Sequence, residues 1–285
     1  MSVIQLNLRD RRRKIIDRLM LLLLVMSAFF AVIPLLFVFY YVMSKALPHI
    51  NLEFFYQLPV PVGESGGGMG NAVMGTMKLL GIASIVGIPW GIFIGIYLSE
   101  YGKSKTANAV RFFTDLFTSV PSIIIGLFVY GLIVKPMGSF SGIAGGLSLA
   151  VIMIPIIGRS TEEILKLTPI HIREAGLALG LSRRKVIIQI VLRGSASAVF
   201  TGVLLAIARA SGETAPLLFT ALNNSFWSNS LLEPMASLPV QIFTYAVSPF
   251  EEWQNQAWVG AFVLVFFVFG VNLLVRIWFN FGVKR

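Results

Sequence analysis

The chain has 285 residues, of which 56% are hydrophobic and 13% charged; its mean hydropathy is +0.81 and its formal net charge is +10 at pH 7. Soluble globular domains carry about 25% charged residues, so the composition excludes that class and indicates an integral membrane protein. The sequence has no cysteine and two histidines, which excludes disulfides, thiolate metal sites and cysteine nucleophiles and argues against a metal enzyme.

Six apolar stretches are long enough to cross a bilayer, whose core of about 30 Å requires roughly 20 apolar residues in a helix. The first stretch follows a basic segment, but its 26 residues exceed the roughly 7 to 15 apolar residues of a signal peptide, so it is predicted to be a retained anchor. The sequence therefore predicts an all-α membrane protein with six transmembrane helices. The predicted spans are 19–44, 79–99, 116–134, 136–158, 196–222 and 253–275.

The basic residues alternate between the segments that connect these spans. Six Lys or Arg lie in residues 1–18, three in 100–111, seven in 159–195 and two in the last two residues, whereas 223–252 has none. The positive-inside rule then places both termini and both basic loops in the cytoplasm. The net charge thus reflects topology, and a nucleic-acid partner is not expected.

This topology predicts four segments in chain order. They are a basic cytoplasmic N-terminus (1–18), a first membrane anchor helix (19–44), an external Pro- and Gly-rich segment (45–70), and a core of five spans (71–285) that contains the cytoplasmic loop 159–195. No segment has the glycine-rich phosphate loop of an ATPase, so the chain is not expected to hydrolyse a nucleotide.

Small residues in the second span predict close helix packing. Gly87, Gly91 and Gly95 form two overlapping GxxxG patterns, which allow the backbone of another helix to approach closely. A packing face inside the subunit is the simpler interpretation.

The cytoplasmic loop 159–195 is predicted to contain a short helix of about eleven residues. Thr168 is a good N-cap residue, Pro169 suits the first helical position, and Gly180 can end the helix in a left-handed conformation. One apolar face requires cover, either from a partner protein or from the membrane surface. Its residues are Ile172, Ala175 and Leu179.

The same loop resembles the EAA loop of ATP-binding-cassette (ABC) importer permeases, in which a short coupling helix docks on the ATP-binding subunit. That motif reads EAA, three residues, Gly, nine residues, then I-x-L-P. Here Gly176 replaces the second Ala, and Arg193 replaces the final Pro, which puts the bend at the end of the motif in doubt. The matching residues are Glu174, Ala175, Gly176, Gly180, Ile190 and Leu192.

A charged pair lies inside one of the predicted spans, 196–222, in the apolar run IARASGETAPLLF at 207–219. Arg209 and Glu213 lie four positions apart, one turn of a continuous helix. Charges at membrane depth cost several kcal/mol unless they are paired or face water. Two interpretations stay open: a structural ion pair, or a water-filled pathway in which Arg209 attracts an anion and Glu213 limits its binding.

The stretch RASGETAPLLFTAL, 209–222, resembles the fifth-helix sequence of the PstA-type permeases of phosphate importers, in which the Arg and Glu lie in the translocation region. Arg209, Glu213 and Thr214 are the positions that the resemblance assigns to the substrate pathway. Further similar stretches are the Pro59, Pro61 and Gly63 pattern, GIYLSEYG at 95–102 and SVPSIIIG at 119–126.

The resemblance implies the MetI-like type I architecture and a permease subunit of a phosphate ABC importer in the cell inner membrane. The partners it implies are a PstC-type permease as heterodimer partner, two copies of an ATP-binding subunit, an external phosphate-binding protein and membrane lipid. ATP would be used by the partner subunit, and this chain would bind no cofactor.

Three alternatives differ in function. The first is a permease for another oxyanion, such as sulfate or molybdate, and the second is a structural membrane scaffold. The third is a membrane-embedded enzyme acting on lipid phosphates, which would require clustered acids or a nucleophile. The acids are instead scattered: Asp115 is predicted to pair with Arg111, and Glu162 and Glu163 are predicted to form a solvated loop face.

Overall fold

The computed structural model describes residues 2–64, 66–102 and 104–282, and all regular structure in these ranges is helical. The all-α prediction is confirmed. Two short 3-10 helices, Leu47–His49 and Glu53–Phe55, lie between the first two α-helices. The helices are α1 Ser2–Ala46, α2 Gly70–Tyr101, α3 Lys105–Ser119, α4 Ser122–Met137, α5 Gly142–Lys166, α6 Ile170–Ala178, α7 Arg183–Leu192, α8 Ala196–Ser211, α9 Ala215–Leu218, α10 Leu238–Ala246 and α11 Glu251–Gly282.

Four helices are long and apolar enough to cross a membrane, and two bent pairs of helices bring the number to six if each pair is one span. The four are α1, α2, α5 and α11. The chain divides into two compact units, Met1–His49 and Ile50–Arg285. In the first unit, α1 continues through Pro34 as one helix, and its apolar side chains are largely exposed.

Within the second unit, α2 and α5 run parallel and in close contact. A Cβ atom added to Gly91 would lie 2.6 Å from the Cβ of Ile157, and one added to Gly87 would lie 3.2 Å from that of Met153. A Cβ at Gly95 would overlap Thr161. The three glycines are buried, and successive contacts advance four residues along both helices. The predicted packing face is therefore confirmed, and it lies inside the subunit.

Parallel packing of α2 and α5 requires the chain between them to return along the bundle, and α3 and α4 make this return. They are not the straight span predicted for 116–134, because their axes differ by 107°. Pro121 has no N–H and disfavours a helical conformation in the residue before it. Val120 accordingly has φ −70° and ψ 132°, and this extended residue separates the two helices.

The predicted bounds of the next span, 136–158, are also wrong. Pro136 belongs to α4, which ends at Gly138 in a left-handed conformation with φ +72°. The next helix, α5, begins only at Gly142, where the side chain of Ser141 accepts a hydrogen bond of 3.2 Å from the N–H of Ala144. The serine cap fixes this helix start.

Polar contacts fasten the connection after α9 to the first part of α2. The side-chain amide of Asn71 donates to the carbonyl of Asn224, and the Lys78 ammonium donates to that of Ser228 at 2.7 Å. The hydroxyl of Thr76 accepts a hydrogen bond from the backbone N–H of Leu238 at 2.8 Å. Lys78 lies just before the predicted second span.

We expect Gly91→Ala to lower the thermal unfolding midpoint of the purified protein in detergent. The added methyl group enters the α2–α5 contact, and overpacking of this kind costs about 1 to 3 kcal/mol. Gly81→Ala is the matched control in the same helix, because a Cβ there meets nothing within 4 Å. An equal midpoint for the two variants would contradict close packing of α2 against α5 at Gly91.

Candidate functional site

Arg209 and Glu213 lie at a break in the chain and not on one continuous helix. Helix α8 ends at Ser211 and is followed by Gly212, so the single span predicted for 196–222 is wrong. Pro216 lies at the start of the short helix α9, where a missing N–H is tolerated. Arg209 therefore lies in the last turn of α8, whereas Glu213 lies in the non-helical connection before α9.

The break lies at mid-height of the bundle. Helix α8 runs antiparallel to α5: a Cβ at Gly202 would overlap the side chain of Ser160, and farther along the chain the hydroxyl of Thr220 lies 3.4 Å from that of Ser148. Arg209 and Glu213 fall between these two contacts, which lie toward opposite ends of α5. The charged pair is thus at the depth of the middle of α5.

The two charged groups are close but not hydrogen-bonded. The Nε of Arg209 lies 3.8 Å from the Oε1 of Glu213, and their side chains are 52% and 16% exposed. Thr214 is half-buried beside them. The break therefore brings the three predicted pathway residues together, with the guanidinium half exposed among the residues that the structure describes. Its planar set of five N–H donors matches the oxygens of an oxyanion.

The predicted loop helix forms as α6, with Gly180 ending it as expected. Gly180 has φ +80°, its N–H bonds the carbonyl of Leu177 at 2.9 Å, and the N–H of Leu181 bonds that of Gly176 at 3.2 Å. These two bonds constitute a Schellman motif, which satisfies carbonyls at the end of a helix.

The start of α6 differs from the prediction. Pro169, with ψ 144°, is the residue before the helix, and no side chain caps it. The hydroxyl of Thr168 lies 3.3 Å from that of Ser195 instead. The predicted N-cap is therefore wrong, because a tertiary contact with the start of α8 competes for the hydroxyl.

Gly176 and Ile190 hold α6 against α7. A Cβ added to Gly176 would lie 2.9 Å from the Cδ1 of Ile190, so the alanine of the motif would require the end of the Ile190 side chain to shift. Ile190 and Leu192 pack around a buried cluster that includes Val191. The chain then bends by 73° between α7 and α8, although Arg193 stands where the motif has proline. The bend that this replacement put in doubt is present.

The outer surface of α6 is uncovered. Glu174 and Ala175 are exposed, and Ile172 and Leu179 are 38% and 82% exposed. The predicted apolar face is thus not covered by the described part of this chain, and Glu174 lies beside it.

The predictions missed a charge cluster at the end of α5 nearest α6. Glu162 is completely buried, and its Oε1 accepts hydrogen bonds from Arg111 Nη2 at 2.7 Å and from Lys166 Nζ. Glu163 is exposed and pairs with Arg159 at 2.8 Å. The solvated face predicted for Glu162 and Glu163 is therefore wrong for Glu162.

The predicted Asp115–Arg111 pair is also wrong. The basic group near Asp115 is Arg159, at 3.9 Å, because Arg111 is engaged by the buried Glu162. The Glu162–Lys166 spacing of four is a local signal that the sequence contains. The partnership with Arg111, 51 residues away, has no such signal. Among the described residues, no group of three or more His, Asp or Glu side chains is placed to hold a metal ion.

Residues 87–285 match the family described as binding-protein-dependent transport system inner membrane component. The chain is 45% identical to the phosphate transport system permease protein PstA of Yersinia pestis, over 94% of this chain and 91% of the relative. It is 44% identical to PstA of Haemophilus influenzae, over 96% and 97%.

The chain belongs to the PstA family. A probable PstA from Methanocaldococcus jannaschii is 33% identical over 93% of this chain and 94% of the relative. Membership makes the chain a permease subunit of a transport system rather than an enzyme. The predicted resemblance to PstA-type permeases is thereby confirmed.

Solved structures with the same fold are also ABC transporter chains. An inward-facing MetNI methionine ABC transporter gives a TM-score of 0.56 at 17% identity, covering 73% of this chain and 95% of that chain. An amino acid ABC transporter with histidines gives 0.54 at 14% identity, covering 73% and 92%. These matches confirm the MetI-like architecture predicted for this PstA-family chain.

We expect Glu162→Ala to lower the free energy of unfolding by about 1.5 to 3 kcal/mol, because it removes the charge-assisted hydrogen bonds that the buried carboxylate accepts from Arg111 and Lys166. The control is Glu163→Ala, whose exposed ion pair contributes less than about 1 kcal/mol. Denaturant unfolding of the two purified variants in the same detergent measures the difference. Equal losses would show that burial of Glu162 adds nothing.

Proposed function

We propose that this chain forms one half of the path by which phosphate crosses an ATP-driven importer. The observation that carries the proposal is the half-exposed guanidinium of Arg209 at mid-height of the bundle. A charge at this depth requires water or a partner nearby. The PstA relatives are phosphate transport permeases, which supports phosphate as the anion that Arg209 meets.

The loose pair suits transport better than tight binding. Arg209 offers two parallel N–H groups to an oxyanion, while Glu213, at 3.8 Å, keeps a negative charge beside the same guanidinium. A passing anion has to enter and then leave, so its binding must be favourable but weak. Repulsion by Glu213 lowers the affinity and speeds release. Thr214 lies next to the pair, where its hydroxyl can contribute a hydrogen bond.

Because the described part of this chain leaves Arg209 half exposed, a second permease is required to enclose the path. We assign this place to a PstC-type permease, so that the two subunits form a heterodimer. An external phosphate-binding protein would deliver the anion to the pair. Membrane lipid would surround the remaining apolar surface.

The exposed surface of α6 is the proposed docking site for an ATP-binding subunit, of which the complex would contain two copies. Glu174 and Ala175 are exposed there, while Gly176 and Ile190 hold the helix in place from behind. In this proposal ATP is bound and hydrolysed by the partner subunit, and this chain binds no cofactor.

The contacts also support the proposed orientation in the cell inner membrane. Arg111 contacts Glu162, and Arg173 contacts Glu100, so both internal basic loops lie at one end of the bundle. The connection that follows α9 contacts Asn71 and Lys78, near the start of α2. The positive-inside rule then assigns the basic end to the cytoplasm, together with both termini.

We expect cells that lack their own high-affinity phosphate system to take up radiolabelled phosphate when this chain is supplied with its cognate partners. Uptake should saturate, require ATP and resist unlabelled sulfate and molybdate. Arg209→Gln should abolish it, because the neutral amide cannot attract the anion. Co-purification of all subunits in mild detergent checks that the variant complex assembles.

Arg209→Lys is the control that keeps the charge without the planar fork, and it should retain part of the uptake. Loss of the assembled complex in Arg209→Gln would make the residue structural. Transport of sulfate or molybdate in place of phosphate would overturn the substrate assignment while leaving the permease function in place.

Docking on α6 predicts that Gly180→Val reduces recovery of the ATP-binding subunit with the permease. The left-handed conformation at φ +80° costs a non-glycine residue about 1 to 2 kcal/mol and suits a β-branched residue least. Gly180→Asn is the matched control, because asparagine tolerates this conformation. Full recovery with valine would argue against α6 as the docking element.

A further inference from the structure

Arg173 is a residue of α6 that reaches into the membrane bundle. Its Nε donates a hydrogen bond to Oε1 of Glu100 at 3.0 Å, and its two terminal nitrogens donate to the backbone carbonyls of Thr168 and Leu165, at 2.5 and 2.9 Å. Glu100 lies in the last turn of α2, and Leu165 in the last turn of α5. One guanidinium therefore connects α6 to the ends of both helices.

This connection is shielded from water. The side chains of Arg173 and Glu100 are 19% and 6% exposed, which makes their attraction stronger and less sensitive to salt than that of a surface pair. The other polar side chains of α6, His171 and Glu174, form no hydrogen bond or ion pair within the described part of the chain. Arg173 is thus the polar anchor of α6 on the bundle.

A second arginine steadies the same end of α2. Arg183, at the start of α7, donates a hydrogen bond to the backbone carbonyl of Glu100 at 3.2 Å. Its guanidinium also lies 4.8 Å from the centre of the Tyr101 ring. Cations are favoured at the C-terminal end of a helix. Both α6 and α7 are therefore hydrogen-bonded to the end of α2, through Arg173 and Arg183.

We propose that the Arg173–Glu100 pair makes α6 move together with α2 and α5, so that movement imposed on α6 changes the transport path. Helices α2 and α5 already form one rigid pair through their glycine contacts. Without the Arg173–Glu100 pair, α6 would still reach the end of α2 through Arg183 of α7, but more of its displacement would be absorbed by the short connection at 167–169. Arg173 is thus a positioning residue, and this inference rests on the proposed docking of an ATP-binding subunit on α6.

The test compares phosphate uptake with ATP hydrolysis in liposomes that contain the complete transport complex. In Arg173→Gln we expect the amount of phosphate carried per ATP hydrolysed to fall at least about fivefold, the lower end of typical coupling between sites. Hydrolysis should continue, because the exposed surface of α6 is unchanged. The control is Arg184→Gln, an exposed arginine of the same loop, which should keep the native ratio.

Glu100→Gln should also uncouple the complex, and the double variant should be no worse than Arg173→Gln alone, because the Arg173–Glu100 pair is already absent in that single variant. Equal proportional losses of uptake and hydrolysis would show a merely structural role and overturn the proposal. If the Arg173→Gln complex fails to assemble, Glu100→Gln serves as the test, since Glu100 lies outside α6. A native amount of phosphate carried per ATP hydrolysed in Glu100→Gln would then overturn the proposal. If the native complex carries another oxyanion in place of phosphate, only the phosphate assignment is refuted. The amount of that anion carried per ATP hydrolysed then tests the role of Arg173 in the same way.

Discussion

Close packing of α2 against α5 is the constraint on which the other parts of the bundle depend. Three glycines let the two backbones run side by side in parallel, and without aqueous solvent such close contact is a main source of helix association in a membrane. Parallel packing then forces the intervening chain to return along the bundle. The bent α3–α4 pair, with its break at Pro121, meets this requirement.

The same pair of helices positions both functional regions. At one end, the last turns of α2 and α5 supply the carboxylate and carbonyl groups that hold Arg173 of α6. At mid-height, α5 supports α8, whose last turn carries the half-exposed Arg209. The proposed anion site and the proposed docking helix are thus attached to one rigid support, which is a simple physical route for coupling between them.

Charge inside this bundle occurs in two different settings. Glu162 is fully buried and is held by Arg111 and Lys166, an arrangement that offsets the cost of burying a carboxylate. Arg209 is half exposed, and Glu213 stands 3.8 Å from it without a hydrogen bond. The tight arrangement stabilises the subunit, whereas the loose one leaves a guanidinium available to a ligand. The difference in geometry thus supports a structural role for the Glu162 cluster and a ligand-binding role for Arg209.

The sequence by itself determined the membrane class, the glycine contact face, the helix end at Gly180 and the family, because composition, residue spacing and backbone preference are local properties. Only the tertiary structure decided the partners of Arg111, Asp115 and Thr168, since residues far apart in the chain compete for the same groups. It also placed the breaks at Pro121 and Gly212 inside predicted spans. A hydropathy window sums the transfer free energies of its residues, so a broken helix and a straight helix of the same composition give the same value.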